Sequence, residues 1–148
     1  MDANRYFRAR FIKFIEQYNA KAAAIGLTGF PDMIQLVDFM HLDELHLESS
    51  RVGLAIMERR NAAQKTLNAI RVEFHYRVTA DTKRLEYNKV DENNEPWLSP
   101  QTAFGLLLIR FEKDYREFLA KIKRAWDVYK HERTAYDVWY RELGSCLM

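Results

Sequence analysis

The stretch Ser99 to Leu143, SPQTAFGLLLIRFEKDYREFLAKIKRAWDVYKHERTAYDVWYREL, decides the fold. Ser99 followed by Pro100 reads as a helix start, because the serine hydroxyl accepts from an orphan amide and proline lacks a hydrogen that the first turn does not need. On a helical wheel Phe104, Leu107, Leu108, Phe111, Tyr115, Phe118, Leu119, Ile122, Ala125, Trp126, Tyr129, Tyr136, Tyr140 and Leu143 share a sector of about 120°. Gly144 then ends the pattern. Unbroken, such a helix would run about 65 Å at ~1.5 Å per residue, so a bend or break is expected near Lys130 to Thr134, where Arg133 interrupts the stripe.

Working outward, the segment Asp2 to Ile25 sets Phe7, Phe11, Phe14, Tyr18, Ala22 and Ile25 three or four residues apart, on one face of an amphipathic helix that Gly26 and Gly29 close. Pro31 and Asp32 suit the first turn of a second helix. The segment Met33 to Leu47 is apolar on several sides and is expected to be the most buried helix. Ser49 or Ser50 can cap a third, with Val52, Ile56, Ala63, Leu67, Ile70 and Phe74 as its stripe.

From Ile70 two readings compete. Ile70, Val72, Phe74, Tyr76 and Val78 alternate with Arg71, Glu73, His75 and Arg77, as in a half-buried strand, and Thr79, Asp81 and Thr82 are weak helix formers. That favours a hairpin of 70–79 and 84–90. The alternative extends the third helix from Ser50 to about Val90 as an antiparallel partner of the last one, with Val72 and Tyr76 turned to solvent. The expectation is a mainly α fold, a helical bundle of about four helices with a long C-terminal helix and a small β-hairpin at about 70–90, in a single domain 1–148.

Composition narrows the function classes. The 148 residues are 48% hydrophobic, enough for a real core, and 14% aromatic, a share that favours interfaces. With 23 basic and 21 acidic residues the net charge of +2 creates no global field for nucleic acid. Charge is nonetheless segregated. Asp32, Asp38, Asp43, Glu44 and Glu48 fall in a segment without Lys or Arg, and the following segment to Val78 carries six basic residues against Glu58 and Glu73. Such neighbours attract each other, or the second is a partner-binding surface. Cys146 is the only cysteine, so an internal disulfide and a cysteine-based zinc site are excluded. The longest apolar run, Leu106 to Ile109 after Ala103 to Gly105, is far below the roughly 20 residues of a membrane span. No signal peptide is visible at the start, so a cytoplasmic protein is expected, or a phage or mobile-element product in its host's cytoplasm.

No catalytic constellation emerges. There is no Gly-x-Ser-x-Gly elbow and no phosphate-cradling glycine loop, and Cys146 lies near the chain end. Asp38, His41, Glu44 and Glu48 have helical spacing that could hold a divalent ion, but Glu-x-x-His pairs are absent, and the expectation is no metal and no cofactor. Arg5, Arg8, Arg10 and Lys13 ring the first helix around Tyr6 and Phe7, as on a solvated helix with one buried seam. In the C-terminal third, Trp126, Tyr129, Tyr136, Trp139 and Tyr140 interleave with Lys130, Arg133 and Arg141, a mixture that suits a protein hot spot or single-stranded nucleic acid when it is not core. Trp139 lies outside the apolar stripe and Arg133 within it, so both fit a purely structural role least well.

The leading expectation is therefore a small non-enzymatic interaction module, an adaptor, inhibitor or regulatory subunit, which binds another protein or itself through Trp126, Tyr129, Arg133, Tyr136, Trp139 and Tyr140. The first alternative is a nucleic-acid-binding regulator using Arg59, Arg60, Arg71 and Arg77, with His75 beside the last two on one strand face. A further alternative comes from a resemblance. Arg124 and His131, with six residues between them, resemble the arginine–histidine motif of the all-helical HEPN ribonucleases, although Ala125 stands where that family usually has a polar residue. The resemblance covers these two residues and implies His131 as catalytic base and Arg124 as phosphate contact, acting on RNA across a dimer groove. Both are expected on the polar side of the last helix.

Overall fold

The computed structural model of the chain describes residues 3–84, 105, 107–109 and 111–147. The fold is mainly α: its elements are α1 (Ala3–Ala24), α2 (Pro31–Val37), α3 (Leu42–Arg84), α4 (Glu112–Glu142) and a 3-10 turn (Gly144–Leu147), and among the described residues there is no strand. No helix among these residues is long and apolar enough to cross a membrane. Contacts gather the chain into two compact units, Met1–Ala63 with Asp127–Met148, and Gln64–Trp126.

The first unit holds α1, α2, the first part of α3 and the second part of α4. Its core is the expected face of α1, Phe7, Phe11, Phe14, Tyr18 and Ala22, joined by Ile15, Val37, Leu45, Val52, Ile56, Trp139 and Leu143. Each fully buried side chain of this size removes enough apolar area from water to contribute roughly 1.5–3 kcal/mol. α1 ends in a Schellman motif: Gly26 adopts φ 74°, its amide bonds the Ala23 carbonyl, and the Leu27 amide bonds that of Ala22 at 2.8 Å. The Asn19 side chain then accepts from the Phe30 amide at 2.6 Å, positioning α2, which begins on Pro31 and Asp32 as expected. The Arg8 guanidinium donates to the carbonyls of Val37 and Met40 and so caps the end of α2.

Here the structure departs from the expected second helix. The chain breaks between Val37 and Leu42, so Met33 to Leu47 is not one helix, and it is not the most buried one. Val37 and Leu45 are buried, but Leu36, Phe39 and Leu47 are exposed. The helix start at Ser49 or Ser50 is also displaced, because α3 begins at Leu42, and Ser49 lies inside it, fully buried. Its carbonyl is needed there by Trp139, whose indole N–H donates to it at 3.0 Å.

The second unit corrects the hairpin. Residues 70–84 belong to α3, and 85–90 lie outside the described residues. Alternation gives way to helical packing because Phe74 meets Tyr115 and Phe118, with ring centroids 5.8 and 5.6 Å apart, whereas Val72 and Tyr76 face solvent as the helical reading requires. Arg77 and Asp81, one turn apart, form an ion pair that a strand could not make. α4 passes through Lys130 to Thr134 without the expected break, since Arg133 points outward and interrupts no packing. The Ser99–Pro100 start lies outside the described residues. Farther on, 107–109 are helical, and the amides of Phe111 and Tyr115 bond the carbonyls of Leu107 and Phe111.

Candidate functional site

Within the first unit α4 presents Tyr129, Arg133, Tyr136 and Tyr140 at spacings of four, three and four residues, which places them along one face. Tyr140 is 46% exposed, Arg133 is exposed, and Tyr129 and Tyr136 are half-buried. The Arg133 guanidinium carbon lies 5.5 Å from the centre of the Tyr129 ring, and that of Arg60 from α3 lies 5.1 Å from the Tyr136 ring. Cation–π contact at such open positions is worth about 0.5–1 kcal/mol. Trp139 does not belong to this face. It is 8% exposed, in the core, and lies so close to α3 that Gly53 is required beneath it: a Cβ on Gly53 would come within 2.6 Å of the indole Cη2 and nearer still to Cζ2 and Cε2. Trp126, in the second unit, is 38% exposed and carries the Arg71 guanidinium 5.8 Å from its ring.

Under the Tyr face runs a buried polar network that the sequence reading missed. Glu132 is 1% exposed, and both of its carboxylate oxygens accept from the Tyr18 hydroxyl, at 2.8 and 2.9 Å. That hydroxyl accepts in turn from Arg59 Nη1 at 2.8 Å, so the phenol bridges guanidinium and carboxylate. Arg59 also donates to the Thr28 carbonyl and lies 4.5 Å from the centre of the Phe30 ring. Burial first, and then the hydrogen bond to Glu132, pushes the Tyr18 hydroxyl up from 10.0 to about 12, with Arg59 opposing. His131 completes the group, its Nδ1 3.2 Å from Glu132 Oε1 and its ring 5.2 Å from that of Tyr18. Its side chain is 10% exposed rather than solvated, a correction to its expected place on the polar side; Arg124 is exposed as expected. The available signal was register, since Glu132 lies seven residues after Ala125 and three after Tyr129, both on the apolar stripe.

The second unit repeats the chemistry. Asp81, 1% exposed, accepts from Tyr115 at 2.7 Å and from Arg77 Nε at 2.9 Å, and Arg77 also reaches Asp114. Burial and the bond to Asp81 raise the Tyr115 hydroxyl well above its ordinary value, and the same carboxylate raises Arg77. The four arginines considered for nucleic acid are therefore each engaged within the chain: Arg59 and Arg77 in carboxylate networks, Arg60 and Arg71 on aromatic rings.

The acidic and histidine residues near 38–48 make no cage. The break before Leu42 removes Asp38 and His41 from the helix carrying Glu44 and Glu48, Glu48 pairs with Arg51, and among the described residues no three potential ligands converge. No protein-family model, curated protein or solved structure matches the chain.

Proposed function

We propose that this chain is a small non-enzymatic interaction module, an adaptor, inhibitor or regulatory subunit, that docks on a protein partner through the face of α4 bearing Tyr129, Arg133, Tyr136 and Tyr140. The observation that carries this reading is the row of tyrosines with arginines stacked on it, left partly open to water on a helix whose other side is anchored in the core. Tyrosine and arginine are the residue types that dominate binding hot spots, because each combines a large apolar area with directional polar groups. The buried groups that could do chemistry, Glu132, Tyr18 and Arg59, are bonded to one another, which suits a rigid support for the face.

The test is affinity capture of the native chain from its own cells, with native mass measurement, beside the doubly substituted Arg133→Ala, Tyr140→Ala chain. A stoichiometric protein partner, held by the native chain and released by the variant at unchanged thermal stability, is expected. A native chain without a partner, or a variant that keeps the same partner with equal affinity, refutes the assignment.

A further inference from the structure

Two surfaces of the first unit have opposite chemistry. One is the tyrosine face of α4, whose charges are the guanidinium groups of Arg133 and Arg60, held over the rings of Tyr129 and Tyr136. Stacking on a ring does not neutralise a guanidinium. At the outer edge of this face Lys130 and Asp137, both exposed and seven residues apart on the helix, offset each other, so the face as a whole is aromatic and cationic.

The other is the corner where α2 gives way to α3. Leu36, Phe39 and Leu47 are exposed there, and Phe39, at 84%, is the most exposed large apolar side chain among the described residues. In the same stretch Asp32, Asp38, Asp43 and Glu44 are exposed, and residues 30–50 contain no lysine or arginine. Arg8 reaches the corner from α1, where it donates to the carbonyls of Val37 and Met40, and Glu48 pairs with Arg51, so carboxylates remain in excess. The corner is therefore apolar and anionic. Apolar side chains edged by carboxylates are matched by a surface that offers aromatic rings and guanidinium groups together, because rings cover the apolar centre and each carboxylate meets a cation. The tyrosine face offers both. Since face and corner stand open in the same chain, one copy does not cover itself, and the corner of one copy can meet the face only of another.

We propose that the partner of the tyrosine face is a second copy of this chain, which presents its α2–α3 corner: Phe39 seats against the rings of Tyr136 and Tyr140, and the carboxylates beside it meet Arg133 and Arg60. The inference rests on the reading of that face as a docking surface and names what docks there. Because the two surfaces differ, the contact is head to tail, and each copy added leaves one face and one corner open, so the assembly closes into a ring or extends as a filament.

Sedimentation velocity and native mass measurement of the intact chain, over about 5–200 µM, test this. The mean mass should rise with concentration, and raising NaCl from about 0.05 to about 0.5 M should weaken self-association about tenfold or more, since exposed charges are screened. Two variants at exposed positions, checked for folding by circular dichroism, separate the surfaces: the face variant Arg133→Ala, Tyr140→Ala and the corner variant Phe39→Ser, Asp43→Asn, Glu44→Gln. Each alone should self-associate at least about tenfold more weakly than the native chain. Mixed in equal amounts, they should form a dimer of one copy of each and nothing larger, because only one intact face and one intact corner remain. Phe39→Ser alone, in the turn between the helices, repeats the corner test without touching α3. A native chain that stays monomeric overturns the proposal, as does a mixture that forms no dimer. A corner variant that associates as well as the native chain shows the tyrosine face pairing with itself and overturns it too. A monomeric native chain that captures a different protein, lost from the face variant, overturns the second copy as partner while the tyrosine face stands as a docking surface.

Discussion

Substituting Gly53 by alanine tests the packing that removes Trp139 from the surface. In an exposed helix the change would stabilise, because glycine is worse than alanine by roughly 0.5–1 kcal/mol. At this position the new Cβ would lie 2.6 Å or less from three indole carbons, where ordinary contacts are 3.4–4 Å, so the ring must retreat by about an ångström. It has little room to do so: Gly144 lies on its other flank, with a Cβ there also within 2.9 Å of the ring, and its N–H is tied to the Ser49 carbonyl and hydroxyl at 3.0 and 3.2 Å. Overpacking of this kind costs about 1–3 kcal/mol, and a strained or lost indole hydrogen bond adds roughly 1 kcal/mol. After the propensity gain, Gly53→Ala should destabilise by about 1–3 kcal/mol in urea unfolding followed by circular dichroism. The sign should reverse in a Trp139→Leu background, where Gly53→Ala should stabilise by up to about 1 kcal/mol. Stabilisation in the native background, or the same penalty in both backgrounds, would refute the close approach of Trp139 to α3.

Two further predictions follow from the buried polar and aromatic groups. Tyr18→Phe removes the donor to both oxygens of buried Glu132 and should cost about 1–3 kcal/mol at neutral pH, read as a lower urea midpoint. Because the Tyr18 hydroxyl ionises at about 12 in the folded chain and at 10.0 when unfolded, its contribution of about 2–3 kcal/mol is complete below pH 10 and is lost as pH rises toward 12. The gap between native chain and variant should therefore narrow over that interval; a gap that widens refutes the network. Phe74→Ala and Tyr76→Ala separate helix from strand, since these residues share a face in a strand and stand far apart around a helix. Phe74→Ala should cost about 2–4 kcal/mol by removing contacts with Tyr115 and Phe118, while Tyr76→Ala at an exposed position should stay within about 0.5 kcal/mol. Comparable losses at both would restore the strand reading.

What the sequence made legible was set by repetition. Of the residues expected inside from their spacing, Phe7, Phe11, Phe14, Tyr18 and Ala22 of α1 and Val52, Ile56, Ala63 and Leu67 of α3 are buried, because that spacing repeats the helical period often enough to outweigh local noise. Between 70 and 78 the same rule misled, because a run of alternating residues also contains a helical subset, here Ile70, Phe74 and Arg77. The contacts that select it, with Tyr115, Phe118 and Asp114, come from residues more than 30 positions away. The break before Leu42 was equally hidden, since it depends on Arg8 capping carbonyls about 30 residues downstream.

The site residues divide along the same line. Tyr129, Arg133, Tyr136 and Tyr140 could be placed together from spacing alone, because neighbours on one helix face are a local property. Trp139 could not be excluded from them, since its burial depends on Gly53, and a glycine inside a helix carries no sign of which side chain needs the space. Glu132 and Asp81 posed the harder problem: an acidic residue in a helix is ordinarily solvated, and burial becomes tolerable only when partners offset desolvation. Each of these carboxylates is met by a tyrosine hydroxyl and, directly or through that hydroxyl, by an arginine. No one of the six residues signals the arrangement by itself. The same dependence on distant partners makes such a network selective: a shift of one turn in helix register would strand a buried charge, so each network favours a single packing of its helices over its neighbours in register.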